Sequence, residues 1–258
     1  DTLKSKSMRQ KFLQHKNRYK VVLHSKNYVD ATFCKDHGIP FSVIPNGIDL
    51  DELQQSKLNF RANYNINTKY MFLCVANFFE GKGHEHLINL VKDLNQQRQD
   101  FTVVIISSTI AYTPGNVKRE QLKQECDRLG LPVLFLTDIP REHVTSAYHD
   151  CDFFVFCSEQ EVSPLVILES MSCKKPWIGM NVGNLLDLHG GICHEGSRNS
   201  SDKIIFDSDM HQKFLTSIKY LCDNNNSCIY LGKSGYQQII NEYNWVKIKE
   251  QYHKLFTE

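Results

Sequence analysis

The sequence contains no C-x-x-C pair, no recognisable secretory leader, and no apolar stretch approaching the roughly 20 residues that span a bilayer. Its nine cysteines are odd in number and sit mostly inside apolar runs, so they read as reduced core thiols, neither a disulfide framework nor a zinc site. A cytoplasmic setting is expected, and the sequons at Asn199 and Asn225 are then incidental. Neither charge dominates. Thirty basic residues against 29 acidic ones leave a net charge of +1, which argues against a nucleic-acid binder. The Walker pattern G-x-x-x-x-G-K-[ST] and the dinucleotide pattern G-x-G-x-x-G are both missing, as are internal repeats and low-complexity tracts. What remains is 258 residues, 41% hydrophobic, enough for one large or two modest domains with real cores. The chain opens DTLKSK without methionine and reads as a piece of something longer.

The most informative stretch is Ser158 to Cys173, SEQEVSPLVILESMSC, in which seven residues separate Glu161 from Glu169. The preceding DFFVFCS is aromatic and β-branched, as a buried parallel strand should be. Ser163 reads as a hydroxyl N-cap, with Pro164 in the first helical turn. Glu161 then belongs to the loop, and Glu169 lies about one and a half turns inside the helix. Its helical neighbours Leu165, Val166, Ser172 and Cys173 carry no cation, so an ionised Glu169 needs a partner from outside. The free amides after Pro164 suit an anion, and Glu169 suits sugar hydroxyls, a combination that describes a nucleotide-sugar pocket. The competing reading is an acidic surface loop and a helix glutamate facing water.

In chain order, residues 1–20 carry seven basic side chains against Asp1, with Leu3, Met8, Phe12 and Leu13 forming a loose helical stripe. Such a helix rests on anionic lipid, faces an anionic acceptor, or is simply a solvated face. Tyr19 to His24 reads as a strand, Lys26 to His37 as a helix and Phe41 to Ile44 as a second strand, a β-α-β fragment too small to be a domain. Pro45-Asn46-Gly47 reads as a turn tolerant of positive φ, with Asp49 capping the next helix and the whole acting as a hinge. From Tyr70 the alternation is regular. Strands YMFLCVA, FTVVIIS, PVLFLT, DFFVFC and PWIGM are separated by helices from about His84, Val117, Arg141 and Ser163. This predicts an α/β fold with a doubly wound parallel sheet whose ligands sit at the carboxyl ends of the strands.

The loop after the first of these strands, Ala76 to His84, places Gly81 and Gly83 around Lys82, so that backbone and ammonium can both approach an anion. A doubly wound sheet brings this loop to the same edge as the Glu161 loop. His84 and His86 lie two apart on a helix, cannot share a ligand face, and read as structural or surface histidines.

Taken together, IPNGIDLDEL, KGHEHLI, the Glu161/Glu169 pair, LESMSCKKPWIGMNVGN and the closing NEYNWVKIKEQYHKLF resemble the retaining GT-B glycosyltransferases of family 4, over about Tyr19 to Phe256. The resemblance implies two Rossmann-like domains with a nucleotide-sugar donor, UDP- or GDP-linked, in the cleft between them. It implies that Glu161 contacts the transferred sugar and Glu169 the ribose hydroxyls. Lys82 matches the lysine on the diphosphate, and the backbone around Ile139 matches the base-recognition loop. Leu165 and Val166 match the positions whose amides approach sugar and phosphate, with Gly81 and Ser163 beside them. No metal and no further cofactor is implied, and no Asp-x-Asp stands in a matching place. Asn77 occupies a position where the family commonly has arginine, leaving one cation in that loop, and Val162 replaces a common glycine beside the sugar.

On this resemblance, residues 1–46 are the remnant of an acceptor domain, 47–242 the donor domain and 243–258 a helix crossing back. The expected reaction is front-face transfer with retention to a saccharide or lipid-linked acceptor, the departing diphosphate helping to deprotonate the acceptor. The rest of the acceptor domain is then an expected partner, and contact with the cytoplasmic membrane face is the expectation attached to the basic segment. The alternatives are a non-catalytic nucleotide-sugar-binding subunit, a donor epimerase or hydrolase, and a purely structural remnant.

Overall fold

A computed structural model describes residues 6–54, 58–109 and 113–257, so Leu3 and Lys4 of the basic segment lie outside the described residues. That segment forms helix α1, Lys6–Gln14, where Phe12 is half-buried and stacks on Tyr19 while Arg9 lies over the Phe33 ring. Strands β1, Val21–Leu23, and β2, Phe41–Val43, pair in parallel around helix α2, Val29–Asp36.

The Pro45-Asn46-Gly47 segment is not the expected turn. Neither Asn46 nor Gly47 has positive φ, and the chain runs on without a regular element to Ile48. Glycine is needed at position 47 for a different reason: a Cβ there would stand 2.9 Å from ring carbons of Trp245. Ile48 N–H donates to the Tyr243 carbonyl at 2.8 Å, and Trp245 N–H returns a bond to Ile48 at 3.2 Å. Asp49 does cap helix α3, Leu50–Gln54, accepting from Asp51 N–H at 3.0 Å.

Helix α4, Phe60–Asn63, leads into the main sheet. Its strands are β3, Tyr70–Val75; β4, Phe101–Ser107; β5, Val133–Thr137; β6, Phe153–Phe156; β7, Trp177–Met180; and β8, Gly191–His194. All neighbours are parallel, in the order β5-β4-β3-β6-β7-β8. The apolar runs fit this burial: β6 and β7 are buried at every position. Helices α5, His84–Asn95, α6, Thr113–Leu129, and α9, Ser208–Asp223, cover one face. Helices α7, Arg141–Asp150, α8, Leu165–Ser172, and α10, Asn225–Gln238, cover the other. Helix α6 is already formed at Thr113, ahead of the expected Val117.

The chain winds outward from β3 to β5, then returns to place β6 against β3. The order of connection therefore reverses between β3 and β6, and loops leaving their carboxyl ends diverge to make a crevice there. A π-turn, Ile239–Tyr243, leads into helix α11, Trp245–Thr257, which runs back to the two-stranded sheet, where the Lys20 ammonium donates to the Leu255 carbonyl at 2.5 Å. The nine cysteines are free thiols, buried except for the half-buried Cys193 and Cys228. Among the described residues no helix is long and apolar enough to cross a membrane.

Candidate functional site

The two loops at the β3/β6 reversal are joined to each other. Glu159 N–H donates to the Gly81 carbonyl at 2.8 Å across the two loops, and within the second loop the Ser158 hydroxyl donates to Glu161 Oε1 at 2.8 Å. Gly81 and Gly83 have φ of +82° and +70°, and a Cβ on Gly83 would fall 2.0 Å from the Cys157 carbonyl oxygen. This close approach puts Lys82 Nζ 2.5 Å from Glu161 Oε1. The lysine side chain is 29% exposed and the glutamate 14%, so the pair is shielded but open to a third charged group.

His84 begins α5 behind this loop, stacked on Phe78 at 3.8 Å, with Nε2 3.3 Å from the Ala76 carbonyl. Burial lowers its pKa to about 4, so it is a neutral ring at neutral pH. His86 stacks on Phe206 and lies 2.9 Å from Glu159. Both histidines are committed to packing, as their spacing suggested.

Helix α8 starts at Leu165, with Pro164 at its N-cap and no side-chain cap. Ser163 is thus not the helix cap expected from its position. Its hydroxyl accepts from Asn46 N–H and from Asn184 Nδ2, each at 3.3 Å, and its carbonyl accepts from Asn46 Nδ2 at 2.7 Å. The residue ties α8 to the segment after β2. Leu165 is exposed and Val166 half-buried at the open end of the helix.

A pocket of about 450 Å³ opens beside that end, and Asn77, Ile139, Leu165, Val166 and Glu169 all line it. Asn77 Oδ1 is already engaged, accepting from Ser108 N–H at 2.8 Å. Lys82, Glu161, Gly81 and Ser163 lie outside the lining, in the adjoining loops. Glu169 is the pocket's buried carboxylate, and the outside partner it requires is Arg141, whose Nη2 lies 2.5 Å from Oε1. The same guanidinium donates through Nε to Glu52 at 2.7 Å. Burial opposes the charge on Arg141, but the two carboxylates outweigh it and push its pKa further up. Sequence reasoning missed Arg141. Its signal was position: a cation at the first residue of a helix stands at the wrong end of the dipole unless carboxylates hold it there.

The six-stranded parallel sheet with its two-stranded companion matches the architecture of solved GT-B glycosyltransferases. Residues 56–238, most of the chain, match the family described as Glycosyl transferases group 1, and the chain belongs to that family. It is 25% identical over 237 residues to an uncharacterized glycosyltransferase of Methanocaldococcus jannaschii, covering 90% of this chain but only 57% of that relative's length. Among solved structures it resembles Anabaena HepE in complex with UDP, at TM-score 0.80 and 19% identity, covering 98% of this chain and 68% of that one. It resembles sucrose-phosphate synthase from Thermosynechococcus elongatus at TM-score 0.73 and 19% identity, over 92% of this chain and 57% of that one. The C-terminal domain of LpcC, a group 1 glycosyl transferase from Francisella tularensis, aligns over its whole length and 77% of this chain, at TM-score 0.63 and 18% identity.

Proposed function

We propose that this chain carries the donor site of an enzyme transferring a sugar from a nucleotide-sugar to a saccharide or lipid-linked acceptor, with retention of anomeric configuration. The observation that carries the reading is the convergence at the β3/β6 reversal: a pocket floored by Glu169 and walled by Ile139 and Val166, adjoining the Lys82–Glu161 pair. In this reading the base lies against the backbone near Ile139, and Glu169 accepts hydrogen bonds from the ribose hydroxyls. The diphosphate faces the Leu165 and Val166 amides and draws Lys82 toward itself. Glu161, relieved of part of its pairing, then faces the sugar. Charge developing on the departing phosphate is met by groups already in place, which is where such a site lowers the barrier.

HepE has been captured with UDP and with UDP-glucose, which favours a uridine nucleotide as the first donor to try. The missing partner is the remainder of an acceptor domain, of which residues 1–46 would be the last portion. Titration calorimetry of the chain against UDP, GDP and ADP, then their sugars, tests the proposal. Binding of one nucleoside diphosphate, weakened by Lys82→Ala and by Glu169→Ala, is expected, and no binding by any of the three overturns it.

A further inference from the structure

We propose that Arg141 is a positioning residue for nucleotide recognition: anchored by Glu52, it fixes the Glu169 carboxylate in the orientation that receives the ribose hydroxyls. This rests on the assignment of Glu169 to the ribose made above. Three observations converge on it.

The first is the division of the guanidinium. Its Nε goes to Glu52 on α3 at 2.7 Å and its Nη2 to Glu169 on α8 at 2.5 Å. Two carboxylates from different helices hold one rigid planar group, which leaves it little rotational freedom. The second is depth. Arg141 is 43% exposed at the side chain and Glu169 only 10%, so the arginine reaches from the rim of the pocket to its floor, and both residues line the same cavity. The third is the company Glu169 keeps. Its own helix offers no cation, and two groups packed near it, Tyr148 and Cys173, are neutral. The Tyr148 hydroxyl is fully buried beside Glu169, and burial first, then the charge of Glu169 and a hydrogen bond toward it, raise its pKa well above the usual value, so it stays neutral. The Cys173 thiol is pushed up to about 12, chiefly by burial. Arg141 is therefore the cation that orients this carboxylate among the described residues.

The chemistry follows from which oxygen is taken. The arginine takes one lone pair of Oε1, and the carboxylate's remaining lone pairs are the ones that can receive ribose hydroxyls. A carboxylate free to rotate would lose part of the ribose contact to ordering entropy, whereas one already held does not. Glu52 also links the ribose floor to the segment that follows strand β2, through a single side chain.

The test compares UDP with 2′,3′-dideoxy-UDP, and GDP with its dideoxy counterpart, on the wild-type chain, Arg141→Gln and Arg141→Lys, with unfolding monitored alongside. The wild type should favour the ribonucleotide by about tenfold or more, the worth of one or two hydrogen bonds to a charged acceptor. In Arg141→Gln that preference should collapse to less than about threefold while the dideoxy affinity stays within about twofold. Arg141→Lys, which keeps a cation near Glu169 but not the planar fork shared with Glu52, should restore part of the preference. If Arg141→Gln weakens both nucleotides equally, the arginine touches base or phosphate directly, or only supports the fold, and the inference is overturned. If Arg141→Gln fails to fold, Arg141→Lys decides: a folded lysine variant without ribose preference overturns the inference. A wild type that binds both nucleotides equally overturns the ribose assignment of Glu169 itself, and one that binds neither overturns the donor site, outcomes distinct from a failure of Arg141 alone.

Discussion

Lys82 and Glu161 stand 79 positions apart in the sequence and 2.5 Å apart in the fold, joined across the reversal between β3 and β6. One is the cation expected at the diphosphate and the other the carboxylate expected at the sugar, so each occupies the other's charge. A phosphate entering the site competes with Glu161 for the lysine. Lys82→Ala should therefore weaken nucleoside diphosphate binding by tens-fold, about 2 kcal/mol, while the nucleoside without phosphate binds as before. Calorimetry with and without EDTA completes the measurement. Unchanged diphosphate binding in Lys82→Ala, or binding abolished by the chelator, would count against the assignment.

The two glutamates should separate by effect. In the complete enzyme Glu161→Ala is expected to lower transfer by about a hundredfold, about 3 kcal/mol at the reacting sugar, with nucleotide affinity little changed. Glu169→Ala should instead weaken the nucleotide itself. Steady-state kinetics beside direct binding gives the comparison, and equal losses of nucleotide affinity in both variants would mean the roles are misassigned.

Much of this arrangement was legible before any fold was in view. Strands β3 and β4 and helices α5 and α7 begin where alternation and the Gly-Lys-Gly loop placed them, because buried parallel strands are written as continuous apolar runs. Strand β8 and helices α9 and α10 were not placed. β8 is four residues opened by glycine, and α10 carries Gly232 and Gly235, poor helix formers. The fold explains them: a Cβ on Gly232 would meet the Lys174 carbonyl at 2.0 Å, and Gly235 packs on Gly190. Tertiary contact overrides propensity there. Arg141 escaped notice because a search confined to one helix face cannot see a partner that arrives from α7.

Gly83 should be intolerant of any side chain. It combines φ of +70° with a Cβ position 2.0 Å from a backbone oxygen, so neither a rotamer change nor a small shift relieves the clash. Gly83→Ala is expected to cost about 3 kcal/mol or more, of which the left-handed backbone accounts for about 1–2 kcal/mol. Denaturant unfolding measures it. A loss below about 1 kcal/mol would mean that the β3 and β6 loops are not packed this tightly.

His84 predicts an acid limit. Its folded pKa, lowered chiefly by burial to about 4, lies below the roughly 6.5 of an unfolded histidine. Between those values the unfolded chain binds more protons, so stability rises with pH across the window and is lost as pH falls from about 6.5 toward 4. The shift corresponds to about 3 kcal/mol. His84→Phe, which can keep the stack on Phe78, should show a shallower loss over that window by urea unfolding at a series of pH values. An identical slope in the variant would remove His84 as the cause.

The 258-residue chain alone should bind donor yet transfer little or no sugar. It spans 57% of the length of its M. jannaschii relative, and the described residues before Pro45 form helices α1 and α2, a 3-10 turn at Lys16–Arg18 and the two short strands β1 and β2. Val21, Val22 and Leu23 remain only half-buried in that fragment, which is too small to form the opposing wall of a cleft. Without that wall, water reaches the anomeric carbon, and nothing holds an acceptor hydroxyl within the roughly 3–3.5 Å needed for attack. Donor binding should survive, because the pocket beside α8 and the Lys82–Glu161 pair are built wholly from residues 75–169. The measurement is turnover of donor with lipid-linked and soluble acceptors by the chain, set beside a version extended by the rest of an acceptor domain. Comparable turnover by both would place an acceptor site within these residues. The first place to look would then be the crevice of about 530 Å³ lined by His24, Lys26, Asn184 and Tyr243, between β1 and α11.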